Sequence, residues 1–314
     1  MRILVLGGTS FVGRAVVEHA LATGHEITLF SRGRTGAELF PEVERRVGDR
    51  DAGDYGALDE GSWDAVVDVS AYVPRHVQQA ADALADRGGR YLFISTGSVY
   101  DRAQAPRDGL DEDCPRLAPE RGTEEGTGQT YGPLKVACED DVLARWGTRA
   151  TIVRPGVVAG PYDPTDRFTA WVRRAARGGR VALPGRPEQP VQVVDSRDLA
   201  HLVVALLADD RPGTYNAVGP AEPTTLGAML QACAEAAGTS VEVVPVPYGS
   251  APLVQPDPDA DVLNRRSAAR ARAVGLTATP LETTAADVLA WDRGRGEPPL
   301  QVGLSAEREA ELLG

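Results

Sequence analysis

Lysine is almost missing from this chain: among 33 Lys and Arg positions only Lys135 is lysine, and every other basic side chain is arginine. Cysteine is nearly as scarce. Cys114, Cys138 and Cys233 are odd in number and far apart, which suggests neither a disulfide framework nor a zinc site and fits a reducing compartment. Cys138 reads as a small core residue. Excess positive charge is also lacking, since 45 Asp and Glu leave a net charge of −12. That balance repels nucleic acid and anionic lipid, so neither nucleic acid nor membrane is an expected partner. No run approaches the roughly 18 apolar residues of a membrane span. The chain opens straight into Ile3-Leu4-Val5-Leu6 without a charged leader and long apolar stretch, so a cytoplasmic protein is expected. With 314 residues there is length for one large α/β domain or two joined ones, and no internal repeat is visible.

What is present begins with Tyr131-Gly132-Pro133-Leu134-Lys135. A chain that fills its other basic positions with Arg keeps Lys at one place, which suggests a need for a compact ammonium whose pKa can shift. On a helix the four-residue spacing puts Tyr131 and Lys135 on one face. The ammonium is then expected to favour the tyrosinate and lower the phenol's pKa, making Tyr131 a candidate acid and base.

The N-terminal run ends in Gly7-Gly8-Thr9-Ser10-Phe11-Val12-Gly13, followed by a helical pattern through Leu21. Strand, glycine turn and helix in that order suggest a dinucleotide site. Gly7 allows the turn, Gly13 lets the helix approach the sheet, and the helix-start amides around Thr9, Ser10, Phe11 and Val12 face a pyrophosphate. Ser10 stands where the usual pattern has its middle glycine.

A second strand, Ile27 to Ser31, ends without the acidic residue that would accept from the ribose 2′-OH of NAD. Ser31-Arg32-Gly33-Arg34 stands there instead, and Arg32 and Arg34 suit a 2′-phosphate, so NADP(H) is expected in preference to NAD(H). The plainer alternative is two solvated loop arginines. Gly48-Asp49-Arg50 follows a third short strand, where Asp49 suits the adenine amino group or an ordinary turn, with Arg50 beside it as a further cofactor contact.

Trp63 to Val69 reads as a fourth strand, Pro74 to Arg87 as a helix and Arg90 to Ser95 as a fifth strand. The βαβ rhythm predicts an α/β fold with a doubly wound parallel sheet. Thr96 then falls at the carboxyl end of the fifth strand, where ligands bind in such sheets, and is the third candidate catalytic group. As a plain turn residue or helix cap it would need no further role.

The glycine turn, Ile94 to Tyr100, Tyr131 to Lys135 and Arg154-Pro155-Gly156-Val157-Val158 together resemble the extended short-chain dehydrogenase/reductase superfamily, in its NAD-dependent epimerase/dehydratase group, over roughly residues 1 to 235. The resemblance implies that Tyr131 is the acid/base, that Lys135 binds the nicotinamide ribose, and that Thr96 hydrogen-bonds the reacting oxygen. Pro155 and Val157 would line the nicotinamide pocket. Gly97-Ser98 stand where sugar-nucleotide dehydratases of the group have Asp-Glu, which argues against elimination of water. It also implies a homodimer. The expected activity is hydride transfer between nicotinamide C4 and a carbonyl or secondary alcohol of a small molecule, a nucleotide-sugar or other polar metabolite, with Tyr131 moving the proton. Two alternatives stay open: a nucleotide-sugar epimerase that retains its NAD(P), and a non-catalytic relative that senses dinucleotide or binds RNA.

The expected division is a dinucleotide-binding domain over 1–160, rejoined by 191–218, and a substrate lobe mainly over 161–314, with strand-helix rhythm broken by prolines after Arg154. Arg167, Arg173, Arg174, Arg177, Arg180 and Arg186 are candidates for an anionic substrate group, although a solvated helix face explains most of them. Residues 101–130, rich in Pro, Gly and acid, are expected to cover the substrate mouth as a lid. Residues 248–262 read as a loop. Helices are expected near Ser267–Val274, Leu281–Trp291 and Ser305–Leu313, with Ser305 as an N-cap.

Overall fold

Apolar runs of about five residues between glycine turns become buried parallel strands, because a strand covered on both faces needs no polar alternation. The computed structural model of the chain describes residues 1–106, 109–247, 251–255 and 257–314. In order come β1 (Arg2–Leu6), α1 (Phe11–Ala22), β2 (Glu26–Ser31), β3 (Glu44–Val47), β4 (Trp63–Asp68), α2 (Pro74–Leu84), β5 (Gly88–Ile94), α3 (Tyr131–Trp146) and β6 (Ala150–Pro155). Next are β7 (Val157–Ala159), α4 (Arg167–Ala176), β8 (Gly179–Leu183), β9 (Pro190–Val191), β10 (Val193–Asp195), α5 (Ser196–Ala208) and β11 (Gly213–Ala217). Last come β12 (Thr224–Thr225), α6 (Leu226–Ala236), β13 (Val241–Pro245), α7 (Ala269–Arg272), α8 (Leu281–Gly294) and α9 (Ala306–Leu313).

Seven strands form one parallel sheet in the order β11-β6-β5-β4-β1-β2-β3, the doubly wound arrangement expected from the βαβ rhythm. Alternate residues of each strand feed opposite cores. Ile3, Val5, Leu29 and Val67 pack with Val16 and Val17 of α1 and Leu199, Leu202 and Val203 of α5. Leu4, Leu6, Phe30 and Val66 face the other way, onto Val77 and Leu84 of α2 and Val142 and Trp146 of α3. A third core joins Phe168 and Trp171 of α4, Leu226 and Leu230 of α6, and Val288 and Leu289 of α8 around β8 and β13.

The strand order reverses between β1 and β4, which opens a crevice at the carboxyl ends of the strands. α2 stops at Leu84, short of the expected Arg87, because Ala85 takes a positive φ of 47° that no helix continues. Near the C-terminus Ser305 caps α9, its Oγ accepting from the Arg308 amide. Part of the 248–262 stretch lies outside the described residues, and Pro258–Asn264 forms a 3-10 turn. Among the described residues no helix is long and apolar enough to cross a membrane.

Candidate active site

The glycine turn shows its reason in the contacts. Gly7 has φ 93°, and a Cβ on Gly13 would run into the Gly7 carbonyl, so α1 approaches the turn as closely as backbone allows. Ser10 is the N-cap residue of α1 without using its side chain as a cap, which leaves its hydroxyl free. Thr9, Ser10, Phe11 and Val12 line one end of a cavity of about 1030 Å³. Gly13 lies behind it as a packing residue.

Around the end of β2 the cavity is bordered by Ser31, Arg32, Arg34, Asp49 and Arg50. Arg32 and Arg34 are exposed and only loosely held, 3.6 Å from Asp51 and 3.9 Å from Asp49. Arg50 corrects the sequence expectation. Its guanidinium is buried and grips Asp68 through two bonds of 2.6 and 2.8 Å, and it also donates to Tyr55 Oη, Ser70 Oγ and the His76 carbonyl. With its donors spent inside the protein, it braces the cavity wall and is not offered to a ligand.

At the other end stand Thr96, Tyr131 and Lys135. Gly132 makes that convergence possible, since a Cβ there would strike the Ser98 carbonyl and push the start of α3 away from the end of β5. Pro133 is tolerated because it falls in the first helical turn, where amides have no intrahelical acceptor. Lys135 is 2% exposed, its Nζ donating to the carbonyls of Ala71 and Ile94 at 2.8 Å each and lying 4.0 Å from the centroid of the Phe93 ring. Burial pushes its pKa down to about 8, partly offset by the buried Cys138, Asp68 and Glu139.

The expected depression of the Tyr131 phenol by Lys135 is not found. Burial raises the Tyr131 pKa above its ordinary value, and the groups that pull it back are the Thr96 hydroxyl and Arg167, while the Lys135 ammonium donates to two backbone carbonyls. Cys138 is buried and pushed up to about 12 by burial, so its thiol stays protonated.

Pro155 and Val157 form the wall opposite, held from below by a buried ion network. Glu139, one turn beyond Lys135, accepts from Arg154 at 2.9 and 2.7 Å, from Ser95 Oγ at 2.5 Å and from Arg116 at 3.0 Å. Arg154 also donates to Tyr100 Oη. This ties α3, the end of β5 and the end of β6 into one unit.

Arg116 belongs to the 101–130 stretch, and here the lid expectation fails for the described residues. None of them lines the cavity. Arg116 pairs with Glu139 and Asp140, Arg121 with Asp141 and Glu124 with Arg75, while the Leu117 amide bonds to the Val99 carbonyl. These charges are therefore ion-paired along α2 and α3. Residues 107 and 108 lie outside the described residues.

Of the candidate anion-binding arginines, only Arg167 borders the cavity. Arg173 pairs with Asp292, Arg174 and Arg177 with Glu309 and Arg186 with Asp261, and Arg180 reaches the Leu313 carbonyl. Sequence reasoning missed Ser70, Tyr72 and Arg266, which also line it. Ser70 and Tyr72 follow the end of β4, a position the fold itself could have flagged. Arg266, one arginine among many and 135 residues past Tyr131, carries no local signal.

The family model described as the NAD dependent epimerase/dehydratase family matches residues 3–218. The chloroplast stem-loop binding protein of 41 kDa b of Arabidopsis thaliana is 24% identical over 256 residues, which cover 76% of this chain and 63% of that protein. A 2-alkyl-3-oxoalkanoate reductase of Stenotrophomonas maltophilia is 27% identical over 229 residues, 65% of this chain and 64% of that one. This chain thus matches somewhat under two thirds of the length of either relative. Among solved structures, UDP-glucuronic acid 4-epimerase from Bacillus cereus in complex with NAD superposes with a TM-score of 0.72 at 16% identity, over 94% of this chain and 99% of the other.

Proposed function

The chain belongs to the NAD dependent epimerase/dehydratase family, and on that premise we propose that it is an NADP(H)-dependent oxidoreductase that reduces a carbonyl of a small molecule, with Tyr131 as the acid/base. The observation that carries this reading is the single cavity running from the acid-free end of β2, at Ser31 and Arg32, to Thr96, Tyr131 and Lys135. The residues fit an extended dinucleotide: close-packed glycines and α1 amides for a pyrophosphate, arginines at one end, apolar Pro155 and Val157 at the other. When bound, the dinucleotide supplies the hydride at its nicotinamide C4.

Everything else belongs to the protein. Because burial holds Tyr131 above the ordinary phenol value, it is protonated at neutral pH, the state that donates a proton to a substrate oxygen gaining negative charge. Thr96 steadies that oxygen by a hydrogen bond. Lys135, still cationic below pH 8, holds the start of α3 and with it Tyr131 in place through the Ala71 and Ile94 carbonyls, and it would meet the nicotinamide ribose. The exposed guanidiniums of Arg32 and Arg34, held only by loose contacts with Asp51 and Asp49, are the residues that would hold a 2′-phosphate. Residues 161–314 supply most of the substrate lobe, with β11 carrying the chain back to the sheet.

The reductase relative supports this direction, and Gly97-Ser98 in place of an acid pair weighs against a dehydratase. Mass spectrometry of small molecules released on denaturing the purified protein, followed by NADPH and NADH titration of the stripped protein, tests it. Exchangeable binding that favours NADPH fits the reductase. A stoichiometric, non-exchanging NAD would replace it with the epimerase.

A further inference from the structure

Arg266 is only 8% exposed, its Nε has no hydrogen-bond partner among the described residues, and no carboxylate there pairs with it. Its backbone is fixed by a buried amide clamp: the Arg266 amide donates to Gln192 Oε1 at 2.8 Å, and its carbonyl accepts from Gln192 Nε2 at 2.9 Å. The side chain is aimed into the cavity that holds Tyr131. Its guanidinium occupies the space that side chains at two glycines would fill. A Cβ on Gly97 would collide with Nη1, and one on Gly156 would come within 3.0 Å of Nη2. Gly97 directly follows Thr96 and Gly156 lies between Pro155 and Val157, so the cation sits beside the reacting position. Burial pushes its pKa down to about 10, which leaves it charged at neutral pH with only the Tyr100 phenol opposing the shift.

A buried cation without a counter-charge is a standing cost to the fold, and removing such a group or supplying its partner relieves that cost. Other buried guanidiniums here, Arg50 and Arg154, have carboxylates. The cavity places a ligand where the partner of Arg266 would be. We propose that Arg266 holds a carboxylate of the substrate a few bonds from the reacting carbonyl, so that the site takes oxo acids, and the hydroxy acids they become, in preference to neutral carbonyl compounds. This rests on the reductase reading and adds the substrate class to it. The planar fork of a guanidinium matches a carboxylate in two parallel bonds, and one buried cation balances one negative charge.

The test uses the NADPH-loaded protein and thermal unfolding as the readout of binding. Its probes are 2-oxobutanoate, 3-oxobutanoate, their methyl esters and inorganic phosphate at matched ionic strength. Wild type should bind one or both acids about tenfold or more tightly than the matching ester. Arg266→Met should lose that acid preference while keeping its NADPH affinity and its cooperative melt, and Arg266→Lys should restore part of the preference. Equal binding of acid and ester by wild type would overturn the inference, as would an acid preference that survives in Arg266→Met. Stronger protection by phosphate than by either acid would overturn the carboxylate assignment, and a loss of NADPH affinity in Arg266→Met would assign the guanidinium to the cofactor. The NADPH titration is independent of these arms: its failure sinks the reductase reading, while loss of acid selectivity alone sinks only this inference.

Discussion

Lys135 reaches across from α3 to the end of β5, its Nζ donating to the Ile94 carbonyl at 2.8 Å and thereby fixing the helix that carries Tyr131 against the strand that leads to Thr96. An arginine there would have to fit its larger planar head among Phe93 and the Ala71 and Ile94 carbonyls that close around the ammonium. Lys135→Arg should therefore cost roughly 1–3 kcal/mol of stability by overpacking, in addition to abolishing activity. Denaturant titration with a NADPH-binding assay on the same samples checks both. Turnover within a few-fold of wild type would show the ammonium to be dispensable.

The same lysine gives a pH signature. Its folded pKa, about 8, lies below the ordinary 10.5, so between those values the unfolded chain holds more protons and stability rises with pH. Comparing wild type with Lys135→Met isolates this contribution. Between pH 8 and 9.5 wild type should gain about 1.5 kcal/mol relative to the variant. Parallel curves would mean that Lys135 is not shifted.

Arg50 and Arg32 should separate cleanly. Arg50→Leu leaves Asp68 as an unpaired buried charge and should cost about 3–5 kcal/mol of stability. Arg32→Ala should leave the melt unchanged and weaken NADPH far more than NADH. Calorimetric titration of both cofactors on both variants decides this, and equal losses of the two cofactors in Arg32→Ala would remove the 2′-phosphate assignment.

The 101–130 stretch should behave as a strap rather than a lid. Amide exchange at Leu117 and Glu120, which bond to the Val99 and Pro133 carbonyls, should be slow before any ligand is added. Fast exchange that slows only in the presence of cofactor and substrate would restore the lid.

What the sequence made legible was local. The Gly7 to Gly13 turn, the buried strands and the positions of Thr96, Tyr131 and Lys135 follow from backbone rules that act over a few residues, and the cavity gathers nearly all of the expected residues. What it hid was pairing at a distance. Arg50 looked like a ligand contact because nothing near it shows that Asp68, 18 residues on, takes its guanidinium. Arg116 and Arg121 turned an acidic loop into a bound strap by reaching Glu139 and Asp141. Lys135 was expected to act on Tyr131, but its acceptors are backbone carbonyls, which no side-chain pattern reveals. Arg266 enters the site from the far end of the chain, and only the fold brings it to Gly97.

The most direct measurement follows the hydride itself. NADPH carrying deuterium on one or the other face of nicotinamide C4 would be incubated with the protein and a panel of oxo acids, oxo esters and keto sugars, and the products read by mass spectrometry. Deuterium from one face should appear at the product carbinol carbon with wild type and should be absent with Tyr131→Phe, although that variant folds and binds NADPH. Transfer by Tyr131→Phe at the wild-type rate, or none by wild type across the panel, would contradict the assignment of Tyr131 as the proton donor of an NADPH-dependent reductase.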